Sequence, residues 1–403
     1  MPQSIKALIN SQLLTWARES AGFRIEELAH KLRVPKEKLE AWETGSTALS
    51  VPQLRKFAEA CKRPLACFYL PEPPKGGPQP IRDLRRLHGS SEFHDTVALN
   101  LEVRLADYRR QIALELMADI GEKPHEIKQH ISIKENPEDI SVRIRKFLGI
   151  DFQQQTSWTN ANEGFNQWRA AIERFGILVF QTGEISVKEV RGFSISQHPL
   201  PVIMLNTKDY YPARIFTLIH ELAHILLNQS GICDIYEEYR RNADDQKIEV
   251  FCNHVAGATL VPEKEFREEH EALKKSGRAS NIDEYAQALA NRFKVSREVI
   301  FRRYLAFAFI NQEQYEKKRD QLQKEFAEQE RRARESAKEF RRIMHREVVS
   351  KCGLPFVQFV LGGYHQEKIT LADVSEFLNV KVKFLRKVES EATSKAVKFG
   401  SFL

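Results

Sequence analysis

The stretch "RIFTLIHELAHILLN" (214–228) constrains the fold of this chain more than any other. Apolar residues surround its centre on every side, which predicts a helix buried in a core. The same stretch carries His220, Glu221 and His224, and it has no Lys or Arg between Phe216 and Leu227. Because a buried polar side chain costs about 2 kcal/mol or more unless it is paired, these three residues require a partner from outside the helix.

The spacing of the two histidines indicates a metal. In H-E-x-x-H, His220 and His224 lie on one face of a helix about one turn apart. Zinc takes nitrogen ligands at about 2.0–2.1 Å, and a catalytic site combines three protein ligands with an open position. The sequence therefore predicts a zinc ion whose third ligand comes from another segment.

Several downstream residues are candidates for that third ligand: Glu237, Glu238, Asp244, Asp245, Glu249 and His254. Glu249 is favoured because it lies on the next buried helix and shares a face with Cys252, Asn253 and Ala256, whereas His254 points round the side. The alternative is that Glu249 is a partly exposed acid that only suits the helix dipole.

The predicted reaction is amide hydrolysis. Zinc lowers the pKa of water to roughly 7, and Glu221 is placed to take the proton. A developing oxyanion needs a second electrophile. Four residues remain open for that role: Tyr236, Tyr239, His254 and Arg214.

Helical periodicity dominates the chain and predicts a mainly α, multidomain fold. A helical domain at 1–70 precedes the linker "PEPPKGGPQP" (71–80), and connecting helices follow at 81–160. The peptidase domain is expected at 161–275, as an α+β unit whose runs "GILVF", "GFSIS" and "PVIMLN" predict a small antiparallel sheet. A helix-turn-helix-like segment at 276–310 leads to a C-terminal helical region at 311–403, which contains a long charged helix.

One short pattern occurs three times. The apolar positions of "LAHKLRVPKEKL" (28–39, the first copy) recur in "LANRFKVSREVI" (289–300, the second copy) and in "VSEFLNVKVKFL" (374–385, the third copy). Each copy predicts a helix, a tight turn and a second helix. The alternative for the third copy is the chance recurrence of such a corner in an α-rich protein.

Composition excludes several protein classes. No run of eighteen apolar residues occurs, and the N-terminus lacks a signal-peptide pattern, so we expect a cytoplasmic protein with no membrane partner. The five scattered cysteines argue against a disulfide framework. A net charge of +7 permits a polyanionic partner without requiring one.

The segments "RGFSISQHPLPVIMLN", "RIFTLIHELAHILLN" and "EVFCNHVAGATLVP" resemble the ImmA/IrrE family of metallopeptidases over roughly 165–305. The resemblance implies a zincin-like domain in which His220, His224 and Glu249 bind zinc and Glu221 is the catalytic glutamate. It also implies a bacterial regulator that cleaves a helix-turn-helix repressor or a toxin-like partner, in stress, mobile-element or toxin-antitoxin control.

Residues 13–74 resemble the XRE-type helix-turn-helix domain that precedes such peptidases. The resemblance implies helices at Ile25–Leu32 and Lys36–Glu43, with Leu39 and Trp42 turned inward. Arg24, Lys36 and Lys38 are the expected phosphate contacts on double-stranded DNA, which residues 1–70 would bind. However, Ile25 replaces the usual Gln, and Glu37 and Glu40 would repel phosphates. A protein-binding or structural unit is the alternative.

Two other functions stay open from the sequence. The chain can be a DNA-binding repressor or antitoxin whose peptidase-like domain is a sensor or a platform for a partner, or it can be a zinc-stabilised scaffold without turnover. A homodimer is compatible with each of these functions.

Overall fold

The structure is a computed structural model that describes residues 6–74, 97–187, 189–228, 243–336 and 344–400. The chain divides into two compact units. Of the described residues, unit 1 contains those at 6–74 and 97–108, and unit 2 contains those from 109 onward. Part of the predicted linker, 75–80, lies outside the described residues.

Unit 1 is a small helical bundle. Its helices are α1 (Gln12–Ser20), α2 (Ile25–Leu32), α3 (Lys36–Glu43), α4 (Val51–Ala60), a 3₁₀ turn (Leu65–Tyr69) and the first part of α5 (Val97–Asp119). Helices α2 and α3 have the bounds expected from the sequence.

The core of unit 1 follows from the apolar faces of these helices. Leu39 and Trp42 of α3 are buried, as predicted, and the rings of Phe57 and Phe68 pack edge to face at 5.8 Å. Leu101 of α5 completes this core. The first part of α5 is therefore an element of unit 1 and not only a connection.

Unit 2 begins with the remainder of α5 and continues, in the described part of the chain, with thirteen α-helices. In chain order they are α6 (Pro137–Leu148), α7 (Phe152–Ser157), α8 (Ala161–Arg174), α9 (Tyr211–Asn228), α10 (Ala243–Leu260), α11 (Glu263–Ser276), α12 (Ile282–Phe293), α13 (Arg297–Ala306), α14 (Gln312–Ser336), α15 (Met344–Cys352), α16 (Leu354–His365), α17 (Leu371–Phe377) and α18 (Leu385–Phe399). A 3₁₀ turn, Val382–Phe384, leads directly into α18.

Helix α6 shows how local sequence sets these bounds. The side chain of Asn136 accepts a hydrogen bond from the Glu138 backbone at 2.9 Å, and Pro137 occupies the first turn, where its missing N–H has no cost. The helix ends at Gly149, which has a left-handed φ of 66°.

The sheet contains strands β1 (Leu178–Thr182), β2 (Gly192–Ile195) and β3 (Val202–Asn206) in the order β1-β3-β2. Strand β3 pairs antiparallel with β2 but parallel with β1. The prediction of a purely antiparallel sheet was therefore wrong. The third strand inserts between the first two, so β1 and β2 are not neighbours.

Helix α9 lies in the middle of the core of unit 2, against β2 and β3 on one side and α10 on another. Gly192 makes the close approach of α9 to β2 possible. A Cβ at this position would lie 2.6 Å from Thr217 Cγ2 and 2.8 Å from the Met204 carbonyl oxygen, so any side chain would push the helix off the strand.

Helices α12 and α13 belong to the same hydrophobic core as α9 and α10. Helix α14 is fixed beside them because Lys318 contacts Asp283 at 2.6 Å and Tyr210 packs on Phe326 at 4.8 Å. The predicted long charged helix is thus α14 up to Ser336, and 337–343 lie outside the described residues.

Helices α15 and α16 cover strand β1. The backbone carbonyl of Ser350 accepts hydrogen bonds from Arg169 at 2.8 Å and from Gln181 at 2.9 Å, and Phe180 packs edge to face on Phe356. The mainly α fold, with a helical N-terminal domain, one small sheet and a C-terminal helical region, is confirmed. In the described part of the chain, no helix combines the length and apolar character needed to cross a bilayer.

Candidate functional site

Helices α9 and α10 bring three predicted ligands together. The Nε2 atoms of His220 and His224 are 2.9 Å apart, and each lies 3.3 Å from an oxygen of the Glu249 carboxylate. Both histidines are buried, whereas the side chain of Glu249 is 34% exposed. Among the residues that the structure describes, this is the one group of three or more His, Cys, Asp or Glu side chains spaced to hold a metal ion.

The donor set fits zinc. Two ligands at about 2.0–2.1 Å in a tetrahedral arrangement lie about 3.3 Å from each other, close to the separations between these donor atoms. Burial opposes the ionisation of Glu249, but hydrogen bonding to His220 and His224 outweighs it and holds the pKa of the carboxyl well below its usual range. Glu249 is therefore an anion at neutral pH, as a ligand must be.

Glu221 is the neighbour of His220 in sequence but lies on a different side of α9. Its carboxylate is buried, and the hydroxyl of Ser194 donates a hydrogen bond to Oε2 at 2.8 Å. Ser194 reaches it from β2, across the close contact that Gly192 allows. The sequence assigned no role to Ser194, since the pairing depends on how the strand packs on the helix.

Cys252 lies behind one of the donor histidines. Its Sγ is 3.6 Å from the Nδ1 of His224, the ring nitrogen that does not face Glu249. Glu249 and Cys252 are three residues apart, so both contacts to His224 come from one turn of α10. When Nε2 faces a metal, Nδ1 carries the proton and needs an acceptor. The sequence placed Glu249 and Cys252 on one face of α10. That shared face was used only to favour Glu249 as a ligand and did not predict the contact of Cys252 with His224.

The other candidates are placed elsewhere. His254 contacts the Glu138 carboxylate of α6 at 3.0 Å, and Arg214 donates to Gln181 Oε1 at 2.8 Å while lying over the Tyr211 ring. Asp244 and Asp245 belong to the first turn of α10, and their side chains are not described. Four further candidates lie outside the described residues: Tyr236, Glu237, Glu238 and Tyr239.

Two segments of the chain match known protein families. Residues 172–305 match the family described as the IrrE N-terminal-like domain, and residues 11–66 match a family described as a helix-turn-helix domain. About a third of the chain is therefore similar to the IrrE N-terminal-like domain. The matched segment runs from the end of α8 to α13, so it includes all three predicted ligands, Glu221 and the second copy of the repeat. The sequence-based recognition of an ImmA/IrrE-type peptidase domain with a helix-turn-helix domain is confirmed.

Two individual proteins are similar to the chain. The radiation response metalloprotease IrrE of Deinococcus radiodurans is 35% identical over 80 residues. That match spans 19% of this chain and 24% of IrrE, so the chain covers about a quarter of that relative. A solved structure, a Mycobacterium tuberculosis transcriptional regulator, is 17% identical with a TM-score of 0.30, over 49% of this chain and 52% of the other. That likeness supports no conclusion about fold.

The three expected phosphate contacts lie on the surface of the helix-turn-helix domain. Arg24 is 2.8 Å from Glu27, and Lys36 is 2.8 Å from Glu26 and 3.7 Å from Glu40. Two of the three cations are thus partly neutralised by carboxylates of their own domain.

Lys38, the third of these cations, lies over the Trp42 ring at 5.7 Å from its centroid. Lys38 and Glu37 both belong to the exposed side of α3. The domain therefore presents a face of mixed charge, on which its predicted DNA contacts stay a prediction.

Proposed function

We propose that the chain is a zinc-dependent regulatory endopeptidase, with His220, His224 and Glu249 as metal ligands and Glu221 as the general base. The observation that carries the proposal is the convergence of two imidazole nitrogens and one carboxylate from α9 and α10, with Glu221 directly after His220 in α9. Zinc in such a site supplies a Lewis acid and lowers the pKa of water to roughly 7.

The residues of the chain have separate tasks in this mechanism. The Ser194 hydroxyl donates a hydrogen bond to Glu221 Oε2, which restrains the carboxylate that takes the proton in this mechanism. Glu221 removes the proton from the attacking water and then delivers it to the leaving amine. The apolar core around α9 excludes bulk water from this side, which strengthens the electrostatic interactions of the carboxylate.

The group that stabilises the oxyanion is not assigned. His254 is engaged with Glu138, and Arg214 is engaged with Gln181, so neither belongs to the donor cluster. Tyr236 and Tyr239 remain candidates for this role on the basis of the sequence.

The proposed substrate is a protein, specifically a helix-turn-helix repressor or a toxin-like partner. The likeness to IrrE and the helix-turn-helix domain support a regulatory role in stress, mobile-element or toxin-antitoxin control. Residues 1–70 would bring the peptidase to double-stranded DNA. The rival function is a repressor or antitoxin in which the IrrE-like domain only senses a signal or binds a partner.

Metal content tests the ligand set. We expect one zinc per chain in the wild type and a loss of zinc in His224→Ala and Glu249→Gln, measured by elemental analysis after dialysis. His254→Ala is the matched control, because it removes a histidine of the same helix as Glu249 and should keep the metal. Full zinc content in Glu249→Gln would show that the third ligand is wrong.

Turnover separates the peptidase from its rival. The zinc-loaded chain is incubated with the helix-turn-helix or toxin-like protein encoded beside its own gene, and the products are read by mass spectrometry. The segment 71–80 of the chain itself is monitored in the same spectra as a site of self-cleavage. Cleavage at one peptide bond supports the proposal. Absence of cleavage together with zinc-independent, sequence-specific DNA binding would support the repressor instead.

A further inference from the structure

The three copies of the repeat fold into the same corner. After the first helix of each copy, one residue adopts the left-handed conformation: Arg33 has φ 57°, Lys294 has φ 59° and Asn379 has φ 48°. The valine that follows donates its backbone N–H to the carbonyl five residues earlier at 3.0 Å, in the pairs Val34 and Ala29, Val295 and Ala290, and Val380 and Ser375. The first of these corners lies in the matched helix-turn-helix domain, so the third has the same backbone turn as a recognised helix-turn-helix.

The second copy cannot present its second helix to a partner. Helix α13 buries Ile300, Phe301 and Tyr304 in the core of unit 2. The third copy differs, because α18 buries Leu385 and Val388 on one side only. Its other side, together with the turn before it, is exposed.

That exposed side is basic. Lys383 lies in the 3₁₀ turn that leads into α18, Arg386 and Lys387 follow it in the first turn of α18, and Lys381 directly precedes the 3₁₀ turn. All four are exposed. Residues 379–389 carry a net charge of +3, whereas the equivalent residues 33–43 of the first copy carry none.

The nearby carboxylates do not neutralise these cations. Glu389 contacts His365 at 2.8 Å, and Glu391 lies 3.6 Å from Arg346. Glu376 lies on the preceding helix α17. Within the described part of the chain, no carboxylate forms an ion pair with Lys381, Lys383, Arg386 or Lys387. In the first copy, by contrast, Arg24 and Lys36 both form ion pairs with carboxylates of their own domain.

We propose that the third copy is a second nucleic-acid-binding surface, which contacts the phosphate backbone of duplex DNA through Lys383, Arg386 and Lys387. In helix-turn-helix proteins, the start of the second helix enters the major groove, and cations around it neutralise phosphates. The third copy combines that corner with cations at that position that form no ion pair with a described carboxylate, although Lys383 lies over the Phe384 ring at 5.1 Å from its centroid. The site is outside both matched domains and does not depend on the metal.

The test uses the full chain and a fluorescent random-sequence duplex of about 24 base pairs, with anisotropy measured between about 50 and 200 mM salt. The variant K383Q/R386Q/K387Q should weaken binding about tenfold or more and reduce the slope of log K against log salt by about 2 to 3. The matched control K264Q/K275Q/R278Q removes three exposed cations on and just after α11 and should change neither quantity.

Several outcomes would overturn the proposal. One is an equal loss in the control, which would mean that only total charge matters. Another is unchanged binding in the α18 variant while R24Q/K36Q/K38Q abolishes it. A third is loss of binding to vesicles containing phosphatidylserine with no change on DNA, which would make the surface a lipid contact.

Folding controls keep the result interpretable. Circular dichroism melting should be unchanged in the α18 variant, because the three side chains are exposed, and the charge-preserving variant K383R/K387R should bind like wild type. Zinc content should also be unchanged. Failure of this proposal is therefore distinguishable from failure of the peptidase proposal.

Discussion

The candidate metal site and the exposed face of the first helix-turn-helix copy differ in how far their polar side chains are buried. At the candidate site, His224 and the neighbouring Glu221 are buried, and each contacts a buried side chain of another element. On the helix-turn-helix face, the side chains of Lys36 and Arg24 are 44% and 80% exposed and pair with acids that are also exposed. An exposed ion pair of this kind contributes little to stability, because water and salt screen both charges.

The difference teaches where a single substitution has a large effect. A buried polar group with a fixed neighbour has few alternatives, so its loss removes a whole interaction or leaves an unpaired partner. An exposed charged side chain can replace its partner with water at little cost in free energy. Its contribution to DNA binding adds to that of the other cations and decreases as the salt concentration rises. The four predictions below test this contrast from its strongest point to its weakest.

Glu221→Gln is expected to have the largest effect. The amide keeps the size of the side chain and leaves the ligands intact but cannot accept the proton, so turnover should fall by about 10²–10⁴ with zinc content unchanged. The measurement is the cleavage rate of whichever partner protein the wild type cleaves. Glu268→Gln, on the exposed side of α11, is the control. A Gln variant as fast as wild type would remove Glu221 from the mechanism.

The second prediction concerns stability. Burial opposes the ionisation of Glu138, but hydrogen bonds from His254 and Arg303 outweigh it and lower the pKa of Glu138 to about 2. A depressed carboxyl pKa adds stability that is complete above the usual value of 4.5 and is lost as the pH falls through about 2. Glu138→Gln should therefore cost about 3 kcal/mol at neutral pH, and the cost should shrink between these two values.

Urea unfolding of both proteins across that pH range measures the difference in free energy. Glu263→Gln, at the exposed start of α11, is a suitable comparison because its carboxylate pairs at the surface with Arg267. A cost for Glu138→Gln that is constant with pH would contradict the assignment to this ionised carboxylate.

The third prediction concerns the contact behind His224. Cys252→Val keeps the shape of the side chain but removes the acceptor from Nδ1, so zinc affinity should fall about tenfold. Cys252→Ser should retain most of the affinity, because a hydroxyl also accepts. Competition with a chromophoric chelator measures both dissociation constants. Equal affinity in the Val variant and the wild type would show that the thiol only fills space.

The smallest effects are expected on the first helix-turn-helix copy. Lys36→Gln should weaken duplex binding only about threefold, because Glu26 already neutralises part of its charge. Glu26→Gln should strengthen binding by a similar factor, since it frees the lysine and removes a repulsive charge. Anisotropy at low salt measures both. Weaker binding in Glu26→Gln would mean that the pair positions Lys36 for DNA.

The grouping of the three predicted ligands could largely be predicted from the sequence, because helical spacing sets the position of each residue on α9 or α10. The spacing of His220 and His224 fixes one face of α9, and the apolar pattern of α10 placed Glu249 inward. The partnership of Ser194 with Glu221 was not readable, because it joins a strand and a helix through tertiary packing. Strand direction was missed for a similar reason, since a short apolar run such as 202–206 carries no information about its neighbours. The ion pair of Lys36 with Glu26 likewise joins two helices.

If the proposed zinc site is correct, the placement of its three ligands on two helices has a consequence for the lifetime of the protein. A metal held by α9 and α10 joins segments that separate on unfolding, so its binding energy is also folding energy. At a free zinc concentration about a hundredfold above the dissociation constant, mass action adds about 2.7 kcal/mol to the free energy of unfolding. In a zinc-starved cell that increment disappears, and the unfolded fraction exposed to proteases rises. The abundance of this protein would then follow the zinc supply even when its gene is transcribed at a constant rate.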